Sequence, residues 1–434
     1  MVSFSPFSTP QVAANASQNA PQDGSGTSGS TMPLDIVFLQ DTTGSQGPYI
    51  KAATKAIRDI CDKISSTAEL SKELIQFGLI AFRDHPPQDK TYVTKNFGFT
   101  SDINVMQRNL ASLIASGGGD GPEAQTAALA DALNMEWTEK AVKLVILITD
   151  SPPHGLGERG DGFSESPDQN DPLEIVRQMA ERGITLFVVA CEPSLSQQYM
   201  LALDFYIALT KITSGQVFPL LMADRLGDYI VGTAVEAIDT EKLIGEFEKV
   251  IVNDVYANAV PVERVAENLQ QYMNEKGRKI NTFAVEDIYV PYAAAERNRM
   301  MWERAGKLSD ARGSMQPISE PRIQAQFLPA TSGFGAGFGP PWAAAPTGPM
   351  MGAGMGAGLG AATYSVAPTL YSGPAVPIPP VQSQQVSYGV QQVSQSQAHR
   401  IVTQSIARNS KVTAAGMFSK KGGQAATTES TDPV

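Results

Sequence analysis

An apolar run that ends abruptly in an acid constrains this chain more than any other feature. Ile36, Val37, Phe38 and Leu39 stand together without polar alternation, the pattern of a strand buried on both faces. The run stops at Asp41, and Thr43, Gly44 and Ser45 make a short polar turn. Ile50, Ala53, Ile57 and Ile60 then recur at three- and four-residue spacing, which predicts an amphipathic helix. Strand, polar turn and helix open an α/β sheet of the kind that binds ligands beyond the carboxyl ends of its strands. Asp41, Thr43 and Ser45 fall at that place. One carboxylate followed by two alternate hydroxyls is an all-oxygen set, suited to a hard divalent cation such as Mg²⁺, with Mn²⁺ second. The same triplet also suits a helix cap and turn.

Downstream, apolar runs and helical stripes keep alternating. Residues 74–82 form a second buried strand, closed by the proline loop Arg83-Asp84-His85-Pro86-Pro87. Residues 91–99 alternate like a half-exposed edge strand, and the short link to it predicts an antiparallel pair. Asp102 caps the helix that follows. The glycine-rich loop Gly117-Gly118-Gly119-Asp120-Gly121-Pro122-Glu123 comes next, with Pro122 and Glu123 read as the first turn of another helix. Residues 142–149 are the most apolar strand, ending in Asp150-Ser151-Pro152-Pro153-His154-Gly155. Two further strands, 184–191 and 216–220, alternate with helices up to about 238. Six strands interleaved with helices predict an α/β fold: a doubly wound, mostly parallel sheet with one antiparallel edge strand.

Four of these stretches, taken together and in this order over residues 33–238, resemble the von Willebrand factor type A domain. They are Asp41-Thr42-Thr43-Gly44-Ser45, Phe82-Arg83-Asp84-His85, Gly117 to Ala124 with Trp137 after its helix, and Ile148 to Gly155. The likeness is to the intracellular branch found beside atypical α-kinase domains in amoebae and fungi. It implies a Rossmann-like sheet with a metal-ion-dependent adhesion site at its top. Asp41, Thr43 and Ser45 would be the first-loop ligands, and Asp150 the acid that acts on the metal, often through water. Many members place a threonine in the glycine-rich loop as a direct ligand, and here Asp120 stands for it. Asp120 reads equally well as a cap for the helix expected at Pro122. With Asp41, Asp120 and Asp150 all close, the cation would be held more firmly but would pull less on a partner's acidic side chain.

The resemblance implies a non-enzymatic protein–protein interaction module. An accessory or regulatory part in kinase signalling is the first alternative, and a metal-dependent hydrolase the second. Haloacid-dehalogenase phosphatases also open with strand and aspartate, but they need a second aspartate where Thr43 stands. Neither a phosphate-binding Gly-x-x-x-x-Gly-Lys loop nor a kinase signature occurs in the sequence. His85 and His154 sit on different loops without a close third ligand of the zinc type, which argues against catalysis by them.

Charge narrows the partners. With 33 basic against 44 acidic residues the chain carries a net −11, which disfavours nucleic acid and anionic membrane surfaces. No uninterrupted apolar stretch is long enough to span a bilayer, and residues 1–30 lack a signal-peptide pattern, so a cytoplasmic protein is expected. The two cysteines, Cys61 and Cys191, imply no disulfide framework. Around the expected domain, residues 1–32 read as a disordered polar arm, 239–312 as a small helical annex, and 313–434 as a disordered tail rich in Gly, Ala, Pro and Gln. In the annex, Met300, Met301 and Trp302 read as core rather than as a partner surface. A helix over 396–408 is the lesser reading of the tail.

Overall fold

The computed structural model describes residues 32–68, 70–328, 382–412 and 418–420. The expected N-terminal arm, 1–32, therefore lies outside the described residues except for Met32, as does the 329–381 part of the expected tail.

The chain begins with β1 (Leu34–Asp41), every residue of which is buried. A 3₁₀ turn and α1 (Gly47–Thr67) follow, then β2 (Ile75–Phe82), β3 (Thr94–Thr100), α2 (Ile103–Ala111), α3 (Gln125–Leu133) and β4 (Val142–Thr149). After them come α4 (Pro172–Glu181), β5 (Ile184–Cys191), the short α5 (Ser194–Gln198), α6 (Ala202–Ile212) and β6 (Val217–Leu220). The six strands form one sheet in the order β3-β2-β1-β4-β5-β6. All neighbours are parallel except β2 and β3, which pair antiparallel at the edge. This is the expected doubly wound sheet.

Both faces of β1 are covered, which explains its unbroken apolar run. Ile36 and Phe38 pack with Ile57, Ile60 and Ile64 of α1 on one side of the sheet. Val37 and Leu39 pack with Leu129 of α3, Val176 of α4 and Phe205 of α6 on the other. Chain order runs outward from β1 to β2 and β3, then returns to lay β4 on the opposite flank of β1. The connections leaving β1 and β4 thus diverge, and a crevice opens above their carboxyl ends.

Beyond the sheet the structure departs from the sequence reading. The boundary expected at 238/239 falls inside one continuous helix, α7 (Leu226–Tyr256). Its first half, with Tyr229, Ile230 and Ala234, covers the sheet, and its second half, with Leu243, Ile244 and Ile251, seeds a third core. The annex is also not wholly helical. It contains α8 (Val262–Glu275), β7 (Lys279–Val285), α9 (Ala293–Arg304) and α10 (Leu308–Ala311). Trp302 of α9 is fully buried against the main domain, its ring edge-to-face with Phe205 at 5.4 Å. Residues 315–328 continue onto the same surface, where the buried Arg322 guanidinium pairs with the buried Asp204 at 2.6 Å.

The expected tail is corrected most. Residues 382–412 hold β8 (Val386–Gln392) and α11 (Gln395–Arg408). Strand β8 pairs antiparallel with β7, and α11 lays Ala398, Ile401, Val402 and Ile406 into the third core against α7 and α8. Arg408 forks onto Glu241 of α7 at 2.5 and 2.6 Å. Local composition misleads here because the apolar face of α11 is completed by residues about 150 positions earlier. Among the described residues no helix is long and apolar enough to cross a membrane. Ile401→Ala is expected to cost about 2–5 kcal/mol of unfolding free energy, as for other fully buried aliphatic side chains. Urea denaturation of the full chain checks this, since a solvated tail would give no change.

Candidate functional site

Each acidic residue of the crevice is carried there by the end of a strand or by the glycine-rich loop. Asp41 is the last residue of β1 and is fully buried. Its Oδ1 accepts from the Thr43 backbone N–H at 2.9 Å and the Thr43 hydroxyl at 2.7 Å. Its Oδ2 accepts from the Thr149 hydroxyl at 2.8 Å and, more loosely, from Ser151 at 3.4 Å. Asp150 follows β4 directly, and its Oδ1 accepts from the Ser45 hydroxyl at 3.1 Å. The loops after β1 and β4 thus bring Asp41, Thr43, Ser45 and Asp150 into one group, across more than 100 residues of sequence.

The glycine-rich loop is laced to the first loop by backbone bonds, Ser116 N–H to the Thr42 carbonyl at 3.0 Å and Gly44 N–H to the Gly117 carbonyl at 3.2 Å. Gly118 has φ +87°, and a Cβ there would lie 2.8 Å from Glu123 Oε1 and 3.4 Å from the Thr43 Cβ. The left-handed backbone favours glycine there, and any side chain would displace the Glu123 carboxylate from beside Thr43. The helix does not start at Pro122 as expected. Glu123 stays extended, its N–H donating to the Pro152 carbonyl at 2.9 Å, and α3 begins at Gln125. This extension turns Glu123 toward the Asp41 group, in the place the sequence reading gave to Asp120.

Asp120 takes another position. Its Oδ2 accepts from the Gln88 side chain at 3.2 Å and from the Gly162 backbone N–H, and it caps no helix. Its carboxylate joins Asp84 and His154. Sequence reasoning missed Glu123 because an acid after Gly-Pro reads as the first turn of a helix. It also missed Thr149 and Ser151, whose hydroxyls hold Asp41.

Electrostatically the group is under strain from like charges. Burial, then the charge of Asp150, push the Asp41 carboxyl up to about 7. Burial, then Asp41 and its other acidic neighbours, push Glu123 up to about 11. Asp150 is raised chiefly by burial. Among the described residues no Lys, Arg or His forms an ion pair with Asp41, Glu123 or Asp150. Glu123 Oε2 is buried without a hydrogen-bond partner. Oxygen donors, buried carboxyls whose ionisation is opposed by burial and by one another, and an unpartnered carboxylate oxygen fit a hard divalent cation, which would supply the missing counter-charge. Asp41, Thr43, Ser45, Glu123 and Asp150 are the residues that could hold it.

Residues 35–211 match the family model of the von Willebrand factor type A domain, and the chain carries such a domain. Over 124 residues it is 30% identical to the alpha-protein kinase vwkA of Dictyostelium discoideum, a match covering 28% of this chain and 19% of that kinase. Over 190 residues it is 26% identical to an ariadne-like RING finger protein of Acanthamoeba polyphaga mimivirus, covering 42% of this chain and 18% of that protein. The chain thus spans less than a fifth of either relative's length. Among solved structures it is similar to the pilus adhesin SpaC of Lactobacillus rhamnosus GG, at 14% identity and TM-score 0.37, over 48% of this chain and 31% of that one. It is also similar to proximal thread matrix protein 1 of the mussel byssus, at 16% identity and TM-score 0.34, over 48% and 46% of the two chains.

A pH dependence follows from Asp41. Its folded value of about 7 exceeds the ordinary 3.8, so the folded chain binds the extra proton between those limits. The stability this group contributes is complete below the ordinary value and is lost as pH rises through about 7. In chelator-treated protein, thermal stability is expected to fall between pH 5 and pH 7.5, roughly the window those values set. Asp41→Asn is expected to lessen that fall, leaving the part that the raised Glu123 and Asp150 contribute. Thermal unfolding across the range, with and without the substitution, checks both.

Proposed function

We propose that this chain is a non-enzymatic protein-interaction module whose von Willebrand A domain uses a divalent cation, Mg²⁺ first and Mn²⁺ as its substitute. Asp41, Thr43, Ser45 and Asp150 would hold the ion, with Glu123 beside them. The observation that carries this reading is the buried trio of carboxylates, set among hydroxyls above the sheet with no cationic partner among the described residues. When bound, the cation supplies the positive charge the trio lacks and an electrophilic point for a partner's acidic side chain.

The residues of this chain tune that point. Three anionic side chains leave the ion with less net charge than a site offering a neutral hydroxyl in Glu123's place. The ion's own retention is then firmer and its pull on a partner's acid weaker. The likeness to a Dictyostelium alpha-protein kinase supports the alternative, an accessory or regulatory role in kinase signalling.

Saturating Mg²⁺ is expected to stabilise the wild-type chain, by about 2.7 kcal/mol at one hundred times its Kd. Asp41→Ala is expected to abolish that gain. Thermal unfolding with Mg²⁺ and with EDTA measures it, and a wild-type chain indifferent to millimolar Mg²⁺ would sink the reading. Glu123→Thr separates cation retention from partner pull. Calorimetric titration is expected to show weaker Mg²⁺ binding, together with tighter capture of an acidic peptide once Mg²⁺ is present. Unchanged Mg²⁺ affinity would remove Glu123 from the ligand set.

A further inference from the structure

Asp84, Asp120 and His154 form a group that the Asp41 site does not use. Asp84 follows the end of β2, Asp120 lies in the glycine-rich loop, and His154 lies in the loop after β4. One ligand atom from each lies within 4.8 Å of the others. The His154 ring is fixed from both sides. Its Nδ1 is 2.8 Å from Asp161 Oδ1, and its Nε2 is 2.7 Å from Asp84 Oδ1. Asp161 is itself held by the backbone N–H groups of Gly155 at 2.8 Å and Phe163 at 2.9 Å. An imidazole whose Nδ1 leans on an anchored carboxylate while Nε2 points into further carboxylates has the arrangement that outer carboxylates give metal-bound histidines.

A bare ion pair between His154 and its two aspartates leaves part of the group unexplained. Asp84 is fully buried, yet its Oδ2 has no hydrogen-bond partner, and Asp120 Oδ1 is likewise buried and unpartnered. Beside them His85, its ring 5.8 Å from that of His154, keeps a buried Nε2 without a partner. The Phe163 ring stands edge-on to His154 at 4.7 Å and shields the group on that side. Among the described residues neither Lys nor Arg pairs with Asp84, Asp120 or Asp161, and the nearby Arg83 is engaged with Asp89.

We propose that Asp84, Asp120 and His154 bind a second divalent cation, of the manganese, iron or zinc class, with Asp161 as the outer carboxylate that orients His154. One nitrogen and two carboxylates suit that class better than Mg²⁺, which prefers oxygen alone. The second site is thereby chemically distinct from the all-oxygen group at Asp41, and the proposal does not depend on that group holding a metal.

The test uses Co²⁺ as a visible probe on the full chain, stripped of metal and carrying Asp41→Ala so that the oxygen site is silent. One Co²⁺ per chain is expected, with a ligand-field absorption band. Asp120→Asn, at a partly exposed position, is expected to weaken binding by about tenfold or more, and Asp161→Asn by about tenfold without changing the stoichiometry. Circular dichroism verifies that each variant folds. If Asp41→Ala fails to fold, the unsubstituted chain with saturating Mg²⁺ replaces it. Absence of Co²⁺ uptake, or uptake indifferent to both Asp120→Asn and Asp161→Asn, would overturn the proposal.

Discussion

A strand covered on both faces can carry polar chemistry only at its ends, and β1 is the strand on which this structure depends. It pairs with β2 on one flank and β4 on the other, and alternate side chains feed the two cores above and below the sheet. Because the chain winds outward in one direction and then in the other, the loops leaving β1 and β4 part rather than cross. Asp41 sits at that parting. Burial of the strand therefore aims a carboxylate, with its hydroxyl companions, at the crevice above the sheet's top edge.

The second consequence is electrostatic. Four loops converge on the opening, and each brings an acid: Asp41 and Asp150 from the ends of the first and fourth strands, Glu123 from the glycine-rich loop, Asp84 from the end of β2. Burying like charges together is unfavourable, and the folded chain offsets it by holding protons on some of these groups, as the raised values of Asp41 and Glu123 show. Backbone bonds between the loops hold the arrangement against this repulsion, notably Glu123 to Pro152, Ala124 to Arg83 and Ser116 to Thr42. The surroundings of the two groups differ in kind. Hydroxyls surround Asp41, whereas imidazoles stand beside Asp84 and Asp120.

Helix α7 joins this sheet to the rest of the chain. Its first half seals the face formed by Ile36 and Phe38, and its second half supplies the apolar stripe that α8 and α11 cover. The buried Glu236 lies in the first half of the helix, accepting from the Phe283 N–H at 2.9 Å and from Gln397 at 3.1 Å. Arg400 also pairs with it. One carboxylate thus ties β7 and α11 to the helix that packs on the sheet.

The sequence alone determined the sheet and half of the site, because both rest on short-range signals. Unbroken apolar runs mark β1, β2, β4 and β5, and an acid at the end of such a run must lie at the sheet's edge. That is why Asp41, Thr43, Ser45 and Asp150 were legible together. Tertiary structure decided the remainder. Glu123, not Asp120, faces Asp41 because cross-loop hydrogen bonds keep Glu123 extended where local pattern calls for a helical turn. Asp84 and His154 meet only once β2 and β4 are laid on either side of β1, at a sequence distance no motif spans. Helix α11 looked like part of a polar tail because its apolar face is matched by Leu243, Ile251 and Val265, which lie far back in the chain. Periodicity records which face of an element is apolar, and only the assembled fold determines what covers it.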